Sequence, residues 1–281
     1  MRDIGLVLAG GGGRGAYQIG AWQALRELGL DQRIGAVSGT SVGALNGALF
    51  AQGNFKAARR VWLTLNSDKV LTIEHQAQEH QVKGSAWFKE FDMGSKLKEG
   101  IFSRQGLLEI IHQQADLKRI SEAQLPAYAA CCQLPTLRPV YFKLNGLTPD
   151  KIIQVLLATS AIPVVFDMVA IDGETYVDGG ARDNIPVKPL YDAGFRRFIV
   201  IHLEPGEHRL AKKFPGAEFI QVIPSRDLGN ILTGILDFSH TGARYRMGLG
   251  YQDALTSLAP YSTATPWIRQ LRRWRDSLGR V

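Results

Sequence analysis

Apolar residues along this chain fall into short runs closed by glycine, each followed by a stretch with helical spacing. Ile4-Gly5-Leu6-Val7-Leu8-Ala9 and Ile34-Gly35-Ala36-Val37-Ser38 are such runs and predict buried strands. Tyr17, Ile19, Trp22 and Leu25 mark a helix after the first, and Ala44-Leu45-Asn46-Gly47-Ala48-Leu49 opens another after the second. Two strand–helix units in succession predict an α/β sandwich on a parallel sheet. Further along, 126–134 and 138–144 read as strands joined by a turn, and Lys151 to Thr159 as a helix with Ile152, Val155, Leu156 and Ala158 inward. The stretch 169–178 reads as a hairpin about the Asp172-Gly173 turn. Phe198-Ile199-Val200-Ile201 and Phe219 to Pro224 complete the strands. Neither an internal repeat nor a low-complexity linker interrupts the pattern.

At 281 residues, with 45% of them hydrophobic, the chain can furnish the core of one large α/β domain, placed at 1–265. No run reaches the roughly 18 uninterrupted apolar residues of a membrane span. Met1-Arg2-Asp3 leads straight into the first strand, so no cleavable leader is expected. Cys131 and Cys132 are adjacent in an apolar stretch and read as two buried small hydrophobes, which suits a reduced, cytoplasmic chain.

The candidate chemistry lies where the strands end. Gly39-Thr40-Ser41-Val42-Gly43 is a G-x-S-x-G motif at a strand-to-helix turn, the context of a nucleophile elbow. Its glycines let the backbone bend, and the helix start behind Ser41 offers free N–H groups to developing negative charge. The first strand runs into Gly10-Gly11-Gly12-Gly13-Arg14-Gly15, again before a helix, an arrangement that cradles an anion or a polarised oxygen. A phosphate loop would need Gly-Lys-Ser/Thr next, which is absent. A dinucleotide fold would need an acidic residue ending the second strand, about 20 residues on. That strand ends instead in Ser38-Gly39-Thr40-Ser41, and Asp31 precedes it. An oxyanion loop beside a serine elbow accounts for both motifs with acyl-transfer chemistry. A third feature is Asp178, just before Gly179 and Gly180; the glycines suit a close backbone approach, although Asp-Gly is also an ordinary turn pair.

Taken in order, these three motifs resemble the patatin-like phospholipase family. Ala158-Thr159-Ser160-Ala161-Ile162-Pro163 and Asn184-Ile185-Pro186 add to the resemblance, which spans about residues 4 to 200. The resemblance implies a three-layer α/β sandwich around a mostly parallel central sheet, with a small helical cap insertion. It implies a Ser–Asp dyad, with Ser41 as nucleophile and Asp178 accepting its proton. It places Gly10 to Gly15 at the oxyanion hole, with Thr40, Val42, Gly39 and Gly43 forming the elbow and Gly179 and Gly180 supporting the aspartate. Arg14 is open between supporting the loop and stabilising substrate charge. The implied substrate is a lipid acyl ester, with no cofactor and no metal. A transacylase or thioesterase would use the same acyl-enzyme, and a lipid-binding regulator would keep the fold without the chemistry.

Residues 66–105 break the alternation; they are polar and charged, with Trp87, Phe88, Phe91, Ile101 and Phe102 interspersed. They read either as a cap over an acyl pocket or as a helical excursion packing its aromatics into the core. A triad would need a late histidine, and His202, His208 and His240 follow Asp178. His202 ends a strand, but Leu203-Glu204-Pro205-Gly206 after it reads as a loop and His202 as a satisfied or solvent-facing side chain. The formal charge of +7 is concentrated at the end, where 266–281 carries five arginines against Asp276. Trp267, Ile268, Leu271, Trp274 and Leu278 lie on one helical face among those arginines. This basic amphipathic helix suits either docking on the body or peripheral contact with an anionic membrane, such as the inner membrane face. The body shows no basic patch interleaved with stacking aromatics, which argues against nucleic acid. Oligomeric state is not encoded in any pattern found.

Overall fold

The computed structural model describes residues 2–65, 72–74, 101–103, 105–163, 165–206 and 209–262. Strand β1 (Ile4–Leu8) runs through a glycine-rich turn into α1 (Ala16–Glu27), and β2 (Ile34–Thr40) runs into α2 (Val42–Ala51). Helix α3 (Phe55–Thr64) follows, then β3 (Thr72–Glu74) and β4 (Ile101–Ser103), which pair antiparallel. Next come α4 (Gln105–Gln114), α5 (Leu117–Ser121), β5 (Ala127–Gln133), β6 (Arg138–Lys143) and α6 (Pro149–Thr159). The chain continues through β7 (Val169–Ile171), β8 (Glu174–Asp178), α7 (Lys188–Asp192), β9 (Arg197–Ile201), β10 (Glu218–Val222) and α8 (His240–Leu258).

Eight strands form one mixed sheet in the order β10-β9-β1-β2-β5-β8-β7, with β6 paired to β5 off this path. The β10, β9, β1, β2 and β5 strands are parallel to one another, as the strand–helix alternation predicts. Pleating sends successive side chains to opposite faces. Ile4, Leu6 and Leu8 of β1 therefore join the large core under α1, α2 and α6. Val7 joins Ala36, Phe198 and Val200 on the other face, under α7 and its flanking loops. The result is a three-layer α/β sandwich whose helical layers are unequal in thickness. Asp172 and Gly173 both hold positive φ, 53° and 83°, in the tight turn between β7 and β8. Within 66–105, the described stretches are the β3–β4 pair and the start of α4; the rest, including Trp87, Phe88 and Phe91, lies outside the described residues. So do His208 and the segment 266–281. No helix among the described residues is long and apolar enough to cross a membrane. Cys131 and Cys132 are buried free thiols.

The register on β5 explains how residues distant in sequence meet. Strand β6 pairs with residues 128–133 along one edge of β5. On the edge that remains, β2 runs parallel up to the Thr40–Ala130 pair, and β8 runs antiparallel, its Asp178 opposite Cys131. The C-terminal ends of β2 and β8 therefore approach each other head-on at adjacent rungs of one strand. Ser41 follows one end and Asp178 is the other.

Candidate active site

Ser41 lies between the end of β2 and the start of α2 at φ 54° and ψ −127°, a conformation sparsely populated by non-glycine residues. Such backbone strain costs on the order of 1–3 kcal/mol and persists only where the surroundings impose it. Here they do. The Ser41 N–H donates to Thr159 Oγ1 at 3.0 Å, and the Thr159 hydroxyl donates in turn to the Ala130 carbonyl. The Ser41 carbonyl accepts from the N–H groups of Ala44 and Leu45, closing the first turn of α2. Gly39 and Gly43 sit so close that a Cβ on Gly39 would lie 2.2 Å from the Gly43 carbonyl carbon, which is why this bend takes glycine at both flanks.

The Ser41 hydroxyl lies beside the Asp178 carboxylate, close enough to favour its charged form, and the Gly180 N–H donates to Asp178 Oδ1 at 2.7 Å. Both residues are almost fully buried. Burial pushes the Asp178 carboxyl up from 3.8 to about 6, against the pull of these two groups. A hydroxyl beside a desolvated carboxylate can give up its proton as it attacks an electrophile.

The segment after Asp178 ties the site together. Thr40 Oγ1 donates to the Asp183 carbonyl at 2.8 Å, and Ser38 Oγ donates to the Pro186 carbonyl at 2.6 Å. Asn184 grips both backbone groups of Gly10: Oδ1 accepts from its N–H at 3.1 Å, and Nδ2 donates to its carbonyl at 3.3 Å. Gly10 thereby abuts the elbow, with the position of an added Cβ 3.3 Å from Ser41 Cβ. Gly12 to Gly15 then form a single 3-10 turn into α1. The leading N–H groups of such a turn have no partner within it.

Arg14 turns away from that space, with Nη1 paired to Glu204 at 3.1 Å and Nη2 donating to the Gly229 carbonyl at 2.6 Å. A buried polar relay backs the loop. Gln18 Nε2 donates to the Ala9 carbonyl, Asn46 Nδ2 to Gly15 O and Gln18 Oε1, and Trp62 Nε1 to Asn46 Oδ1. Ser41 opens into a pocket of about 100 Å³. Its walls are mainly apolar, with Leu45, Leu49, Trp62, Leu156 and Leu236 among them. Leu65 and Ile111, which flank the 66–105 stretch, also line it.

The sequence motifs thus converge: Ser41, Asp178, Gly10 and the turn Gly12 to Gly15 lie in one place. Gly179 packs on Ala130, and Gly180 supplies the amide to Asp178. His202 is buried with Nε2 2.9 Å from Gln221 Oε1, His240 is exposed at the start of α8, and the Asp178 carboxylate accepts from the Gly180 N–H. Thr159 and Asn184 stood inside quoted motifs, but their contacts were not foreseen. Asn46 and Gln18 were missed; a lone polar residue in the apolar run 44–49 was the available signal, since a buried polar group needs a partner. Among the described residues no three His, Cys, Asp or Glu side chains converge as a metal site requires.

Comparison with known proteins agrees with this geometry. The chain is 26% identical over 206 residues to neuropathy target esterase sws of Drosophila melanogaster, covering 71% of this chain and 13% of that protein. It is 27% identical over 209 residues to lysophospholipase NTE1 of Cryptococcus neoformans, covering 71% and 11%. The chain therefore spans about an eighth or less of these relatives' length. The crystal structure of VipD from Legionella pneumophila superposes with a TM-score of 0.59 at 17% identity, over 92% of this chain and 67% of that one, which is a likeness of fold. A family model for the patatin-like phospholipases matches residues 6–191, from β1 through the helix beyond Asp178, and over that span the chain belongs to the patatin-like phospholipase family.

Proposed function

We propose that the protein is a serine acyl-ester hydrolase of the phospholipase or lysophospholipase A type. The observation that carries this reading is the juxtaposition of the Ser41 hydroxyl and the buried Asp178 carboxylate, at an apolar pocket and beside the glycine turn. In the first half-reaction Ser41 Oγ attacks the ester carbonyl while Asp178 takes its proton. The carbonyl oxygen gains the negative charge and is held by N–H groups of Gly11, Gly12 and Gly13. Collapse expels the alcohol, which leaves with the proton returned by Asp178, and the acyl group remains on Ser41. Water then attacks the acyl-enzyme, Asp178 again accepting and returning a proton, and the fatty acid is released.

A carboxylate is a modest base, so preorganised amide donors must carry much of the acceleration; removing one such donor typically lowers turnover by about 10²–10³. The apolar pocket supports a fatty acyl chain as the group bound next to Ser41. The named activities of the two relatives, a neuropathy target esterase and a lysophospholipase, support the same substrate class.

The experiment is labelling with a fluorophosphonate probe together with a lipid panel read by mass spectrometry. Wild type is expected to label at Ser41 and to release fatty acid; Ser41→Ala and Asp178→Asn are expected to do neither, while His240→Ala does both. A Ser41→Ala protein that still released fatty acid would sink the proposal. Added glycerol or lysolipid distinguishes hydrolysis from acyl transfer, through the appearance of the acylated acceptor.

A further inference from the structure

The matched family span ends at residue 191, yet a later segment borders the same pocket. Residues 228–238 run across the back of the glycine turn. Gly12 and Gly13 meet its backbone so closely that an added Cβ would fall 2.2 Å from the Ile235 carbonyl oxygen and 2.1 Å from that of Asp237. On the inner side, Ile235, Leu236 and Phe238 line the pocket.

The segment is built rather than draped. Ile231–Ile235 is one π-helical turn, a rare form frequent at functional sites, and Asn230 caps it by accepting from the N–H groups of Leu232 and Thr233 at 2.9 Å each. Gly229 takes φ 100° at its entrance. Arg14, from the glycine turn, donates to the Gly229 carbonyl. Arg246, in the middle of α8 and 3% exposed, fastens the rest. Its Nη2 donates to the Thr233 carbonyl at 2.6 Å and to Asp237 Oδ2 at 2.7 Å, and its Nη1 to the Asp237 carbonyl at 2.9 Å. It also reaches the Leu228 carbonyl through Nε and the Gly13 carbonyl through Nη1. One guanidinium thus binds both the segment and the glycine turn.

We propose that residues 228–238 form the wall that sets acyl-chain selectivity, and that Arg246 is the positioning residue holding this wall against the glycine turn. The inference rests on the acyl-hydrolase reading and adds to it an element outside the matched domain. Leu236 lines the same pocket as Ser41, so the size of that side chain limits how far a long acyl chain attached to Ser41 extends. Arg246 touches no substrate; it acts by fixing the wall and the Gly13 carbonyl in one frame.

The test is kcat/KM across p-nitrophenyl esters from butyrate to palmitate, for wild type, Leu236→Trp, Leu236→Ala and Arg246→Lys. Leu236→Trp is expected to lower the palmitate value relative to butyrate by about tenfold or more, the low end of what a misfit costs in an apolar pocket. Leu236→Ala is expected to shift the optimum toward longer chains. Arg246→Lys keeps a charge opposite Asp237 but loses the fork; it is expected to lower kcat and flatten the chain-length profile, with butyrate KM unchanged. The Leu236 variants decide the matter should Arg246→Lys fail to fold. Leu236 variants that scale every ester by one factor, or change none, overturn the inference while Ser41-dependent turnover leaves the hydrolase reading intact. Wild-type turnover that survives Ser41→Ala overturns both.

Discussion

Burying the Asp178 carboxylate gives a folding experiment with a defined pH signature. The folded protein raises this group from 3.8 to about 6, so at neutral pH the fold carries a charged group that it would hold more comfortably neutral. Well below pH 3.8 the carboxyl is protonated folded or unfolded and contributes nothing to pH dependence. As pH rises from 3.8 the unfolded chain ionises first, and stability falls until the folded carboxyl ionises as well, near pH 6. Linkage puts this loss below about 1 kcal/mol at pH 4, about 2 at pH 5 and about 3 at pH 8.

Asp178→Asn removes the titration and keeps the shape. Whatever fixed cost or gain the amide brings, its stability relative to wild type should climb by about 2 kcal/mol between pH 4 and pH 8, nearly all of it below pH 6.5. Urea unfolding at several pH values measures this directly, and every other carboxyl cancels in the difference. A gap between the two proteins that stays constant across that range would refute the argument. A relative stability of the variant that falls with rising pH would mean that the groups favouring the charged carboxylate, Ser41 and Gly180, outweigh burial.

The same group dictates the activity profile: kcat/KM on a soluble short ester should rise with pH through an apparent pKa near 6, because only ionised Asp178 accepts the Ser41 proton, and a flat profile down to pH 4.5 would exclude it as the base. Thr159→Val strips the acceptor from the Ser41 N–H at nearly constant volume; it should slow fluorophosphonate labelling about 10- to 100-fold, as expected for a buried amide left unpaired, and Thr159→Ser should restore most of the rate. Asn184→Ala frees Gly10 and should cost about 1–3 kcal/mol in urea unfolding together with a fall in kcat, whereas unchanged kcat would divorce this clamp from the chemistry. Gly12→Ala should abolish turnover or folding outright, since its methyl would collide with the Ile235 backbone and the residue holds φ 55°.

Local order was readable in the residues because local sterics write it. Glycine at 39 and 43 announces the bend around Ser41, and Asp172-Gly173 announces a two-residue turn that indeed holds two positive φ angles. Parallel strands, buried on both faces, read as near-continuous apolar runs. What stayed hidden were contacts between elements far apart in sequence. Thr159 looks like one more helical residue until α6 is laid beside the elbow. Arg246 lies 233 residues from Gly13, in a helix where an arginine would ordinarily face water, and nothing in its neighbourhood advertises a buried guanidinium. The wall at 228–238 carries no motif, because its shape depends on backbone carbonyls that every sequence possesses.

The convergence of two strand tips along the same side of β5 makes that strand a ruler. Its rungs are spaced about 3.3 Å apart, so the separation of the hydroxyl and the carboxylate changes only in whole steps of that size. One residue inserted between Ala130 and Cys131 would part the pair by more than a hydrogen bond tolerates, and would turn the pleat over as well. Connecting loops elsewhere can lengthen or shorten with little effect on this spacing. The tolerance of the chemistry to insertion is therefore concentrated outside a single seven-residue strand, and a scan of one-residue insertions through Ala127–Gln133 would map that boundary.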